Sequence, residues 1–345
     1  MPERNSKRLD GLDALRGIAA ASVMLYHYTA WYPFLSGGKL PVSTPYGIFG
    51  VELFFVISGF VIFMTLERTP SLADFLAARV IRLYPAFLAS MLATLWLTAQ
   101  PVRLDQLLAN LTMVPLALGQ MPYDGCYWSL RFELEFYLLA ALCVLVLGWR
   151  NPELPCTGWL TTEFLLRAVF GATPRQPLMD LTHTSFAHLF IIGIMLYRMH
   201  SGRATRLTVP LLVCAVAMAL YGPHWTFAPI SRVAYMTIIA SFALLVWLGT
   251  TRHGQFLCLA PLQFLGRISY PLYLVHQAAG FAFLDRLRAA AVPLVVAVPI
   301  TITAAIMLAW AISTSVEWPA QRWLRSRIAG YQRSSRAAES DPRVS

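Results

Sequence analysis

Apolar runs of 13 to about 24 residues, separated by short polar or basic stretches, recur along almost the whole chain. Runs of that length suit membrane-crossing helices, which need about 20 residues at 1.5 Å of rise each. The pattern predicts spans at Leu9–Tyr32, Tyr46–Leu66, Tyr84–Thr98, Trp128–Leu147, Ser185–Tyr197, Leu207–Tyr221, Val233–Leu248, Leu262–Leu284 and Val292–Thr314. Glu67–Leu83 reads as an amphipathic basic helix at the cytoplasmic surface, and Pro101–Tyr127 as an external, partly apolar segment. Asn151–Thr182 holds many prolines and polar residues and no clean span. Basic residues collect at alternate ends of the runs and in the tail, which places those ends in the cytoplasm. Parity then requires a crossing at about Cys156–Gly171, short and carrying Glu163 and Arg167, so neighbouring helices must shield it. The expected fold is all-α: a polytopic membrane helical bundle of about ten transmembrane helices, both termini cytoplasmic, multi-pass in the cell inner (plasma) membrane. Residues 8–322 form its membrane domain. Residues 323–345 form a basic cytoplasmic tail, expected to be disordered from Ser334 onward.

The first run departs from a plain span, because it carries Asp10, Asp13, Arg16 and His27. Ionisable groups inside a membrane are costly and usually face a cavity, a partner or a substrate path. Arg16 and His27 are eleven residues apart, close to three helical turns, so they share a face roughly 16 Å apart along the axis. Asp13 is one turn from Arg16 on nearly the same stripe. A salt bridge with a buried structural histidine fits this spacing, and so does a polar path. In the second run Glu52 is the lone charge, and Ser58-Gly59 is a small pair suited to close packing or a local distortion.

Composition narrows the class. The residues are 57% hydrophobic and 13% charged, about half the charge of a soluble domain, and the mean hydropathy is +0.58. The net charge of +10 follows the positive-inside pattern rather than a nucleic-acid surface. Five scattered cysteines, Cys126, Cys143, Cys156, Cys214 and Cys258, offer no disulfide framework and no zinc spacing. His183 and His188 lack a carboxylate at ligand spacing, so no metal is expected.

Several stretches together resemble the acyltransferase 3 family. They are Leu12–Ala20 with His27; Gly50–Phe60; Arg79-Val80-Ile81-Arg82; Trp128-Ser129-Leu130 with Glu133, Phe136 and Tyr137; and Leu265–Tyr270 with Leu272–Leu274 and His276. The order and spacing of these stretches carry the resemblance more than any one motif. The family often has two adjacent glutamates after Trp-Ser-Leu. Here Leu134 replaces the second, so only Glu133 is carried over.

The resemblance implies a membrane O-acyltransferase. Such an enzyme moves an acyl group, usually acetyl, from cytoplasmic acyl-CoA to a hydroxyl of an extracytoplasmic or lipid-linked glycan such as O-antigen or exopolysaccharide. Some relatives act on small molecules such as antibiotics. Acyl-CoA enters as a donor substrate, with no permanently bound cofactor; the partners are membrane lipid, donor and acceptor, with no nucleic acid. Arg79 and Arg82, one turn apart, suit CoA phosphates, and equally suit ordinary positive-inside residues. Arg16 is expected to bind the donor or hold Asp13. His27 is expected to act on the acceptor hydroxyl as general base, or as a covalent nucleophile. Glu52 is expected to orient His27 and stabilise its imidazolium. Ser58, Trp128, Ser129, Glu133 and His276 are supporting residues, for which packing, anchoring or capping roles fit equally well. A proton-coupled transporter would also use intramembrane charges, but the sequence shows no repeat of the kind many carriers have.

Overall fold

A computed structural model describes residues 9–148, 151–170, 182, 184–222 and 230–327, and among these every regular element is a helix. The first helix, α1 (Asp10–Tyr26), passes into a π turn (His27–Trp31) and a short helix (Tyr32–Ser36). An unbroken α-helix would drive the ring of Pro33 into the carbonyl of Thr29. The wider π turn lies immediately before that proline, and His27 opens it. Next come α2 (Gly50–Leu66), which a 3-10 turn at Pro45–Phe49 precedes, and α3 (Leu72–Thr98). The short helix α4 (Leu104–Leu111) leads to α5 (Trp128–Ala141), with a π turn at Leu142–Val146. Then follow α6 (Glu153–Phe170), α7 (Ala187–His200), α8 (Thr208–Ala217) and α9 (Arg232–Gly249). The last three are α10 (Ala260–Val275), α11 (Ala278–Ala289) and α12 (Leu294–Ile312). Among the described residues four helices are long and apolar enough to cross a membrane: Pro45–Leu66, Leu72–Thr98, Arg232–Gly249 and Leu294–Arg327.

Three expectations need correction. Glu67–Leu83 is not a separate surface helix: from Leu72 it is continuous with the following span, as α3, straight through Pro85. Charge marks a boundary before Tyr84, but Arg79 and Arg82 turn toward the interior, so the helix has no reason to stop there. The run Leu262–Leu284 is not one helix either; it breaks at His276-Gln277. The last span does not end near Thr314. A π turn (Ser313–Glu317) precedes Pro319, and the helix runs on to Arg327. The remainder of the tail lies outside the described residues, as does His183.

α1 sits at the centre of the bundle. One apolar cluster packs it against α2 and α9, with α7 packed in turn on α2, and a second joins its other side to α10 and α12. The α1–α10 contact depends on glycine: a Cβ on Gly17 would lie 2.5 Å from the backbone nitrogen of Gly266. The expected close packing at Ser58-Gly59 is present, since a Cβ on Gly59 would collide with the Phe190 carbonyl of α7. α6 covers most of the stretch expected as a short crossing; it is not one of the four helices apolar enough to span, and its Glu163 and Arg167 are fully buried.

Candidate active site

Three cavities follow one another along α1. The largest, about 660 Å³, opens at the end of the bundle where α1 begins. Arg16, Arg68, Arg82, Arg267 and Arg325 line it, against the acids Asp13 and Glu317. Glu317 is held in place, accepting from the Ser313 hydroxyl (3.1 Å) and from Gln321 Nε2 (3.2 Å). Gln321 also donates to the Arg82 carbonyl at 3.2 Å, tying α12 to α3. Arg16 keeps Asp13 as a neighbour at 3.3 Å.

Arg16, Arg82, Ser269 and Tyr270 line both this vestibule and a narrower inner cavity of about 60 Å³. There Glu133 Oε1 accepts a hydrogen bond from Ser58 Oγ (3.2 Å) and a very short one from the Tyr137 hydroxyl. Arg79 lies over the rings of Phe75 and Tyr137, with its guanidinium carbon 5.4 and 5.7 Å from their centroids. Its buried Nε has no hydrogen-bond partner among the described residues. Arg79 is therefore a desolvated cation beside a carboxylate. Arg82, one turn farther, reaches the vestibule.

The third cavity, about 160 Å³, is lined by Tyr26, His27, Trp31, Trp128 and Gln277 among others. Val51 and Tyr273 line both it and the inner cavity. The Tyr273 hydroxyl is 2.7 Å from Ser129 Oγ and donates to the Cys126 carbonyl at 3.1 Å. His27 Nδ1 lies 2.9 Å from the Val23 carbonyl and 3.1 Å from His276 Nε2. His276 Nδ1 lies 2.7 Å from the Tyr273 carbonyl. Both histidines stand at helix interruptions, one opening the π turn after α1 and the other closing α10.

The structure thus gathers Arg16, Arg79, Arg82, Ser58, Glu133 and Ser129 at the inner cavity, and His27, His276 and Trp128 at the outer pocket or beside it. It does not bring Glu52 to His27. Glu52 is fully buried and faces Tyr235 of α9. The reason is rotation: Val51 lines the outer pocket, and one residue later a helix has turned by about 100°. Glu135, one residue past Leu134, pairs with Arg131 at 2.5 Å. Reasoning from sequence missed Arg68, Arg267, Arg325 and Glu317 as vestibule residues. It also missed Asp124, whose carboxylate accepts from the Cys126 and Ala278 N–H groups, both at 2.9 Å, and so caps α11 where the helix breaks. Arg267, at i+4 from Gln263 on the helix that packs on α1, carried the plainest signal. Asp124 carried none beyond an Asp-Gly turn.

Residues 9–314 match the family described as "Acyltransferase domain", and the chain belongs to the acyltransferase 3 family. It is a membrane acyltransferase. One relative carries the name membrane-bound transacylase BcsY, from Komagataeibacter xylinus; it is 28% identical over 299 residues, spanning 77% of this chain and 71% of that protein. O-acetyltransferase OatA of Staphylococcus aureus is 27% identical over 318 residues, 78% of this chain but 50% of OatA, so this chain spans about half of OatA's length. A protein named as acetyltransferase ORF330, from Acidianus two-tailed virus, is 23% identical over 275 residues, 76% of this chain and 80% of that one. No solved structure matches the chain.

Proposed function

We propose that this protein takes an acyl group, acetyl by preference, from cytoplasmic acyl-CoA and places it on a hydroxyl of an extracytoplasmic or lipid-linked glycan. The observation that carries the reading is the succession of cavities along α1, from one crowded with arginine to one that holds a histidine. The CoA phosphates sit in the vestibule, on Arg82, Arg267, Arg325 and Arg68, as charge-assisted hydrogen bonds. The thioester arm passes Arg16 and Tyr270 into the inner cavity, where Arg79 and Glu133 set the local charge. The acceptor enters the outer pocket, where aromatic side chains offer flat apolar faces to a sugar ring. His27 takes the hydroxyl proton as general base. The oxygen bonds to the thioester carbonyl carbon, the C–S bond breaks, and the proton passes to the departing thiolate.

About ten helices crossing the inner membrane, with both termini cytoplasmic, would place the vestibule on the side where acyl-CoA is made. Reporter fusions test this: one at Gly38 should read outside and one at Ser340 inside, and a periplasmic signal from Ser340 breaks the arrangement. The decisive test of function is chemical. Purified protein should bind acetyl-CoA and release CoA thiol when a glycan hydroxyl acceptor is supplied, and deleting the gene should remove O-acyl signals from NMR spectra of surface glycans. Intact O-acylation after deletion, with no CoA release in vitro, would overturn the proposal.

A further inference from the structure

Hydrogen bonding around His27 fixes more than its position. The Val23 and Tyr273 carbonyls can only accept, so a ring nitrogen close to either must carry a proton. His276 Nδ1, 2.7 Å from the Tyr273 carbonyl, is therefore N–H. In neutral His276 the other nitrogen, Nε2, is then a bare lone pair. It lies 3.1 Å from His27 Nδ1, which must supply the proton between them. The same Nδ1 faces the Val23 carbonyl at 2.9 Å and reaches the same protonation by a separate route. Both constraints agree, leaving His27 Nε2 as the unprotonated nitrogen of a histidine that lines the outer pocket.

The partner is itself held on both sides. The Tyr28 hydroxyl, from the residue after His27, donates to the His276 carbonyl at 2.6 Å. Just beyond the break Asp124 caps the N–H of Ala278 at 2.9 Å. His276 is fully buried, so its ring has no solvent to turn toward.

We infer that His276 is a positioning residue for acyl transfer: it locks His27 in the Nδ1–H form and shares the positive charge that arises when His27 Nε2 takes up the acceptor proton. A neutral imidazole fills the place that a carboxylate holds in a hydrolytic triad. The inference rests on the acyl-transfer reading above. The proton ledger stays balanced throughout. The hydroxyl proton moves to His27 Nε2 while the acceptor oxygen bonds to the carbonyl carbon. The leaving sulfur takes the electron pair of the C–S bond and then that proton. The Nδ1 proton remains on His27, donated to His276, and His276 keeps its own on Nδ1.

Two measurements on the full-length detergent-solubilised protein test this. In the first, release of CoA thiol from acetyl-CoA in the presence of a soluble glycan, whose hydroxyl receives the acetyl group, is followed for wild type, His276→Ala and His276→Gln, with CoA binding measured by calorimetry. Loss of one hydrogen bond to a charged group predicts a fall in kcat of roughly 10- to 100-fold in His276→Ala. The KM for acetyl-CoA and the affinity for CoA should hold, and His276→Gln, whose amide oxygen can still accept, should recover part of the rate. A merely structural His276 would lower kcat and CoA affinity and raise the KM together, and the glutamine would not rescue. The second measurement needs no variant of His276. Spectra of ¹⁵N-histidine-labelled protein, with the His27 signals assigned by their loss in His27→Gln, should show Nδ1 protonated and Nε2 bare. Wild-type kcat in folded His276→Ala, or a proton on His27 Nε2 in the neutral protein, overturns the inference. Wild-type protein that leaves acetyl-CoA untouched overturns the acyl-transfer reading instead, and the tautomer is then decided by the spectra alone.

Discussion

Two histidines in this bundle look alike in sequence and do opposite things in space. His188 and His27 each belong to an apolar run, and each has a polar partner on another helix. At His188 the partner is Glu163, whose Oε1 also accepts from Arg167 Nε and Nη2 at 2.9 and 2.8 Å, while its Oε2 accepts from the His188 backbone N–H at 2.8 Å. That carboxylate is fully engaged, and none of the three cavities along α1 touches the cluster. His27 has a neutral partner, retains 7% exposure and lines a pocket with a nitrogen to spare. The contrast teaches that a buried ionisable group points to chemistry only when it keeps bonding capacity and a space to use it. At His188 the capacity remains but the space does not: its Nε2 is buried without a hydrogen-bond partner among the described residues and faces none of the three cavities, so the cluster serves as the set of internal counter-ions that lets a charged helix lie inside the bundle.

The comparison is most exposed at His27 itself. His27→Ala should cost about 10²–10⁴-fold in transfer, the usual worth of a general base, while expression, melting temperature and CoA affinity hold. Labelled acetyl-CoA without acceptor distinguishes the covalent variant of the mechanism, which would trap the label on His27. Near-normal transfer by a folded variant would remove the functional half of the contrast.

At the other centre the effect should fall on stability. Glu163→Ala leaves Arg167 buried without its main counter-ion, a change worth roughly 3–5 kcal/mol. The melting temperature of the purified protein should drop sharply, and the turnover of whatever remains folded should stay close to wild type. A normal melting curve with lost turnover would reverse the assignment of the two sites.

A smaller effect separates the two arginines of α3. Arg82→Ala should weaken CoA binding about tenfold or more, since charge-assisted hydrogen bonds are worth roughly 1.5–3 kcal/mol each. Arg82→Lys should restore part of it, without the bidentate fork. Arg79, stacked in the inner cavity, should affect turnover more than CoA affinity when changed to Ala. Equal losses of affinity at both positions would put both in the phosphate site. Smallest of all should be the catalytic effect of Glu52→Gln, because Glu52 faces Tyr235 rather than His27; a loss of transfer like that of His27→Ala would restore it as the partner of His27.

Much of this was legible from the residues. Hydropathy located the helices because apolar length is a local property. The paired spacing of Arg16 and His27 and the one-turn spacing of Arg79 and Arg82 put each pair on a usable face. What escaped is what depends on how helices end and turn. Glu52 reads as level with His27, but rotation about α2 is fixed only by packing. The break at His276-Gln277 has no glycine or proline within it; it is stabilised from outside, by Asp124 of another segment. The π turns are a middle case. Two of them, at His27–Trp31 and Ser313–Glu317, end just before Pro33 and Pro319, so a proline late in a long apolar run was a readable sign of a widened turn ahead of it.

Tyr273 has an electrical consequence. Its ring is a wall common to the inner cavity and the outer pocket, fastened by its hydroxyl to Ser129 and the Cys126 carbonyl. A bilayer enzyme that joined its two faces by one continuous water column would leak protons and ions and run down the gradients its host lives on. Compartments divided by a fixed aromatic ring interrupt that column, as hydrophobic constrictions do in closed channels. On the proposed reading the membrane voltage would fall largely across this tyrosine and valine divider, and an acetyl group, being neutral, would pass it without moving charge through that field.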